Sequence, residues 1–190
     1  MNYMNYRWFY TTNGTLVVGG KNKEQNEIVI KNFLKPDYIV LHTSSPGSPF
    51  MIIQSNKSSK QDIEEAAIFC ACFSKEWKNL KSKDRKITIN VFKGDQIYKL
   101  KTMKTGTFGV KGKIKKINVK PGLFLVVQKN IIISIPKIKR KEKIIADIKP
   151  GELSKEQAVE KISKKLRSLN FKFSNEEIMR VIPSGKISIK

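Results

Sequence analysis

Three short runs in this chain have residue types and spacings that could do chemistry. In Gly19-Gly20-Lys21-Asn22, two glycines and a lysine stand where a strand hands over to a helix. At such a junction glycines let the backbone approach closely, unpaired N–H groups face an anion, and the lysine adds charge. The Gly-Lys-Ser/Thr ending of a nucleotide-hydrolysing loop is missing, and an ordinary turn would have the same composition. Thr105-Gly106-Thr107-Phe108-Gly109-Val110-Lys111-Gly112-Lys113 mixes glycines, lysines and one aromatic ring. Single-stranded RNA is held by such mixtures, with lysines on phosphates, rings stacked on bases and glycines letting the strand close in. A hairpin with Phe108 buried and its lysines solvated is the bland alternative. His42 is the single histidine, at the end of a strand. Its ring could stack on a base or bond a phosphate, or simply hydrogen-bond the following loop. As a general base it would need a carboxylate or metal to orient it. A metal-dependent nuclease or other phosphoryl-transfer site would have to recruit Glu27, Glu64 or Glu65, which have no metal-ligand spacing. Cys70 and Cys72 offer neither a disulfide framework nor a zinc site and read as inert core thiols. No catalytic residue, metal or cofactor is therefore expected.

Charge gives these runs a setting. The 190 residues carry 38 Lys+Arg against 16 Asp+Glu, a formal charge of +22. Lysine accounts for 33 of the 38, part of which codon drift in an AT-rich genome would explain. Drift does not explain the scarcity of acids between Lys78 and Lys143, where 20 basic residues meet 3 acidic ones. That stretch has a net +17, and the other 124 residues only +5. Polyanions are the natural partner of such asymmetry, nucleic acid ahead of an acidic membrane surface or an acidic protein. Lysine neutralises phosphate without the bidentate fork that reads guanine edges, so backbone-driven, salt-sensitive binding with little base specificity follows. No apolar run approaches the ~20 residues of a membrane span. The N-terminus lacks the order of a secretory signal, so a reducing cytoplasm and no membrane are expected.

The elements that must position these runs are legible in outline. Arg7–Thr12 and Thr15–Val18 flank Asn13-Gly14, a favoured pair for a type I′ hairpin turn. Residues 24–34 have helical spacing, ended before Pro36. Strands follow at 38–42 and 50–54, separated by the Ser/Pro/Gly loop 43–49. Ser59 is a fitting N-cap for a long helix over 60–79 whose apolar stripe is mostly small (Ile63, Ala66, Ala67, Cys70, Phe73, Ser74 and Trp77). Strand patterns recur at 86–92, 96–100, 107–111, 113–119, 123–127 and 131–135, and lysines on the solvent face of such a sheet would form a flat basic surface. Trp8 and Phe9 point to opposite sides of one strand, so one of them is core. After Pro136 come a charged connector, 137–141, then 144–148 and a Pro150-Gly151 turn. Capping boxes at Ser154 and Ser174 open two further helices. The expected fold is α+β: a mixed, mainly antiparallel sheet with one long helix packed on it and a small helical C-terminal extension. Residues 1–136 would form the main domain, and 137–190 a basic connector with a two-helix extension.

In this order the residues resemble the NFACT-R domain family. The likeness runs through Arg7-Trp8-Phe9, Gly19-Gly20-Lys21-Asn22, Gln25-Asn26-Glu27, Lys35-Pro36-Asp37 and Val40-Leu41-His42. It continues through Gly47-Ser48-Pro49, Glu64-Glu65-Ala66-Ala67, Cys70, Ser74 and Trp77 to the Lys104–Lys113 run, covering about residues 6–127. The resemblance implies a non-enzymatic RNA-binding domain, here in standalone, archaeal-like form, with tRNA or the large ribosomal subunit as partner and a place in ribosome-associated quality control. Many members carry His-x-Asp-x-His-Gly where this sequence has His42-Thr43-Ser44-Ser45-Pro46-Gly47, so any mechanism using that Asp or second His is absent. Together the loops, the basic stretch and the resemblance give an expected nucleic-acid-contacting set. Its members are Arg7, Lys21, Asn22, Asn26, His42, Ser48, Lys104, Thr105, Lys111, Lys113 and Lys115, with Gly19 and Gly20 as the anion-binding loop. DNA binding, scaffolding of an acidic protein, and a homo-oligomeric contact through the C-terminal extension stay open at this point.

Overall fold

The computed structural model describes residues 2–80, 85–138 and 141–190. Lys81, Lys83 and Asp84 of the basic stretch, and Lys139 and Arg140 of the charged connector, lie outside them. In chain order the elements are β1 (Arg7–Tyr10), β2 (Leu16–Gly19), α1 (Lys23–Phe33), β3 (Ile39–Thr43), β4 (Met51–Ile53), α2 (Lys60–Cys72), α3 (Lys75–Lys78) and β5 (Ile87–Lys93). Then come β6 (Ile97–Tyr98), β7 (Gly109–Val110), β8 (Lys115–Val119), β9 (Leu123–Gln128), β10 (Ile131–Pro136) and β11 (Ile144–Leu153). α4 (Lys155–Ser168), α5 (Asn175–Val181) and β12 (Ile187–Ile189) complete the chain. The α+β class holds, and every strand pairing is antiparallel.

Strand alternation builds two cores from one six-stranded sheet, ordered β1-β2-β4-β3-β5-β8. Phe9, Val17, Leu41, Met51, Ile53, Ile87, Ile89 and Val91 face α2 on one side. Val18, Val40, Ile52 and Phe92 face α1 on the other, joined by Phe50. The stripe of small residues lets α2 lie close, and Ala66, Ala67, Cys70 and Ala71 are all fully buried. Burial pushes the Cys70 thiol up to about 12 and the Cys72 thiol up as well, so both stay protonated and unreactive. Phe9 is the core member of the Trp8–Phe9 pair, its ring 4.6 Å from Phe69, whereas Trp8 is half-buried at the sheet edge.

Three local expectations need correction. The 11–15 turn is not type I′, because Gly14 alone takes a positive φ (78°) while Asn13 does not. Gly14 N–H donates to Thr11 O and Thr11 N–H to Thr15 O, each at 2.9 Å, which is a three-residue turn closed by a left-handed glycine. A type I′ conformation instead joins β9 to β10, where Lys129 and Asn130 have φ of 49° and 60°. The helix expected over 60–79 stops at Cys72, and Ser74 is not part of its stripe. Its hydroxyl accepts the Trp77 N–H at 3.3 Å and starts α3. The capping boxes at Ser59, Ser154 and Ser174 are all present.

The second sheet, ordered β10-β9-β11-β12, draws two strands from before residue 137 and two from after it. Leu123, Leu125, Ile145, Ile148, Ile162 and Ile187 join the α2-side core, so the C-terminal segment closes that core as well as supplying helices.

Candidate nucleic-acid interface

On the α1 side of the six-stranded sheet, loops and strand ends surround a cleft of about 580 Å³. Arg7, Lys21, Lys23 and Lys75 bring positive charge to its wall, together with Asn22, Asn26, His42 and Asn90. Among the described residues, no Asp or Glu lines it.

Of the expected residues, Arg7, Gly20, Lys21, Asn22, Asn26, His42, Ser48 and Thr105 are brought together here. Several are committed to the scaffold. The N–H groups expected to face an anion are capped instead: Asn22 Oδ1 accepts from Gln25 N–H at 2.8 Å, and Gln25 Oε1 accepts from Lys21 N–H at 3.0 Å. Gly20 is small because Asn26 presses against it, and Gly19 because Met51 does, so both glycines answer to packing. Asn26 is 8% exposed and its Oδ1 accepts the Phe50 N–H. Ser48 is buried, its hydroxyl accepting the Thr43 N–H at 2.9 Å and folding the 43–49 loop back on itself.

His42 lies over Phe50, with ring centroids 4.5 Å apart. Thr43 O lies 2.7 Å from Nδ1, and a carbonyl can only accept, so Nδ1 carries the proton and Nε2 is left as an acceptor. Burial lowers its pKa against the opposing pull of the Thr43 and Ser48 bonds, favouring the neutral ring. The carboxylates proposed for a metal site go elsewhere: Glu65 takes the Thr12 N–H with both oxygens, and Glu27 takes the Gly106 N–H. Among the described residues, no three His, Cys, Asp or Glu side chains could share a metal ion.

The Gly-rich loop is held by a residue absent from the expected set. Lys99 Nζ donates to Glu27 Oε1 (2.5 Å), Lys104 O (2.8 Å) and Thr107 O (2.9 Å), and sits 4.8 Å from the Phe108 ring. One ammonium thus ties the 104–108 loop to α1. Partial burial works against ionised Glu27, but the bonds from Lys99 and Gly106 prevail and hold its pKa low. Phe108 packs edge-on against Phe50 (5.3 Å) and still lines the cleft. Gln96 Nε2 pins the Gly112 turn by donating to Lys111 O and Lys113 O. Lys104, Lys111 and Lys113 are exposed beside the cleft rather than in its wall.

Register separates two neighbouring lysines. Directly opposed residues share a face of the sheet. Asn90 opposes both His42 and Lys116, which places the three in one row across β3, β5 and β8 on the cleft face. Thr88 and Asn118 continue that face, with Thr88 Oγ1 donating to Asn118 at 2.7 Å. The expected Lys115 opposes Val91 and lies on the α2 side. Lys116 was findable: the apolar alternation Ile117/Val119 already assigns Lys115 the inner parity. Lys75 and Phe73 carried no such signal, because the loop 43–49 reaches them only in three dimensions, through Lys75 N–H to Gly47 O. Lys137 is removed from the basic surface by its ion pair with Asp147.

Residues 5–112 match the family described as the NFACT protein RNA binding domain. The chain belongs to that family. Among curated relatives, the archaeal Rqc2 homolog aRqcH of Methanocaldococcus jannaschii is 37% identical over 78 residues, 40% of this chain and 12% of that protein. The ribosome quality control complex subunit NEMF homolog of Drosophila melanogaster is 27% identical over 117 residues, 57% of this chain and 11% of its own length. This NFACT-R chain therefore corresponds to a small part of those proteins. The C-terminal part of the fibronectin/fibrinogen-binding protein from Streptococcus suis shares the fold, with a TM-score of 0.54 over 61% of this chain and 45% of that one at 22% identity. Among the described residues, no helix is long and apolar enough to cross a membrane.

Proposed function

We propose that this NFACT-R chain binds RNA, without catalysing a reaction on it, by drawing a strand across the cleft face of the six-stranded sheet. The observation that carries this is the cleft itself: four cations, several amides and the half-buried rings of His42, Phe73 and Phe108, with no carboxylate in the lining among the described residues. Of the four, Lys23 alone has an ion pair among the described residues, with the exposed Glu24 at 3.6 Å, so a polyanion gains there at little cost in internal pairs. Asn90, Lys116, Thr88 and Asn118 extend the polar surface beyond the cleft, where neither α1 nor the 97–114 segment covers the sheet. Residues 1–136 carry this surface, and 137–190 close the core behind it. The Drosophila relative's name supports ribosome quality control as the setting, and tRNA or the large ribosomal subunit is the ligand we propose.

Titration with bulk tRNA at increasing salt tests this. Affinity falls steeply between 50 and 200 mM salt, as roughly 10³-fold or more for a surface making several phosphate contacts. Exchange of both Lys111 and Lys113 for Glu weakens binding, and duplex DNA competes less well than tRNA at matched salt. Binding indifferent to salt and to those exchanges contradicts the reading.

A further inference from the structure

A second groove, of about 450 Å³, opens between the β1 edge, β10 and α5, and shares Arg7, Lys21 and Phe73 with the cleft. The Arg7 guanidinium lies 3.9 Å from the Phe73 ring centroid, half-buried, and neither it nor Arg180 has a hydrogen-bond or ion-pair partner among the described residues. Lys21 Nζ is steered to this place by a 2.8 Å bond to Asn5 O, which leaves two of its donors unused. Ser134 also lines the groove; it is 3% exposed and its hydroxyl is unpartnered among the described residues. Glu177 is the one carboxylate in the lining among those residues, and its Oε2 is occupied by the Ser174 N–H in the α5 cap. We propose that this groove is a phosphate-binding subsite in which Arg180, from the C-terminal segment, joins Arg7 and Lys21 around one phosphate of an RNA strand leaving the cleft.

Three like charges drawn together around an uncharged hydroxyl are an arrangement that an anion relieves. The strain is visible in Lys21, whose pKa is lowered by burial and then by the positive charges of Arg7 and Arg180. Lys155 at the start of α4 likewise has its pKa lowered, by burial and then by Arg7. An arginine on an aromatic ring keeps its planar fork of N–H donors available for phosphate oxygens. Continuity decides for RNA over another anion, because Arg7 and Lys21 line both spaces and a bound strand can pass from one to the other. The subsite rests on the RNA reading above and gives the C-terminal segment a share in binding.

The test is bulk tRNA binding to the full chain across a salt series, wild type beside Arg180→Ala and Arg180→Lys. Arg180 is exposed, so the fold is retained, which a thermal melt checks. Arg180→Ala is expected to weaken binding about tenfold at low salt and to reduce the slope of log K against log salt by about 0.7–0.9, one phosphate's worth. Arg180→Lys restores most of the slope. If wild type binds tRNA and Arg180→Ala binds it with the same affinity and slope, the subsite is wrong and the cleft stands. If wild type does not bind tRNA, the RNA reading itself falls.

Discussion

The two faces of the six-stranded sheet are made by the same strands and end in opposite conditions. On the α2 face the positions from β1 to β5 that face α2 are largely buried, and the buried carboxylates there are bonded internally. Asp62, 2% exposed, accepts from Thr11 Oγ1 at 2.5 Å, Ser59 N–H at 2.8 Å and Asn13 Nδ2 at 3.3 Å, locking the first hairpin to the start of α2. On the cleft face α1 and the 97–114 segment cover only part of the sheet, and the β5–β8 end carries Thr88, Asn90, Lys116 and Asn118. Lys99 and Lys23 have carboxylate partners on that side, Glu27 and Glu24, whereas Arg7, Lys21 and Lys75 have no ion pair among the described residues. One face stores stability and the other stores unpaired charge, so substitutions on the two should separate into folding effects and binding effects.

The largest effect is expected from Asp62→Ala, a loss of about 3 kcal/mol in denaturant unfolding, since a buried charged acceptor with several donors is removed. Burial by itself would raise the Asp62 pKa, but the bonds from Thr11, Ser59 and Asn13 outweigh it and hold the pKa below its ordinary 3.8. Its contribution is therefore full above that value and lost as pH falls through the lower folded one. Asp62→Asn should accordingly lose less stability on acidification than wild type over that window, and tRNA affinity of the folded variant should not change. A variant that unfolds normally but binds RNA poorly would erase the distinction between the faces.

Lys99→Met sharpens it from the other side. Lys99 and Glu27 side chains are each one-third exposed, so the stability loss is small, about 1 kcal/mol or less. The 104–108 loop loses its two ammonium bonds and, with the third, its tie through Lys99 to Glu27, and tRNA binding should weaken by more than that melt shift accounts for. Equal losses in the two measurements would make Lys99 a purely structural residue.

Much of this was readable in the residues. Polar–apolar alternation gave the strands, the three capping boxes gave helix starts, and the order of small motifs gave the family. What escaped has physical causes. Ser74 looks like a stripe member by spacing, and only its hydroxyl bond to Trp77 N–H reveals a new cap. Asn13-Gly14 suits a type I′ turn, yet the bonds from Asn13 Nδ2 to Ser59 and Asp62 hold it in a wider loop. Gly19 and Gly20 look like an anion loop because close approach to a ligand and close approach to Asn26 or Met51 ask for the same residue. The second groove combines Arg7, Lys21 and Arg180, which are remote in sequence, and no local pattern announces it.

Lys115 and Lys116 test the account most directly, because they are adjacent, both exposed, and differ only in the face that register gives them. Lys115→Glu and Lys116→Glu change net charge equally, so a general attraction of RNA to a basic protein weakens both alike. The account predicts that Lys116→Glu lowers tRNA affinity and reduces the salt slope by about 1, while Lys115→Glu stays near wild type. Equal losses, or a larger loss for Lys115→Glu, would contradict an RNA path along the cleft face.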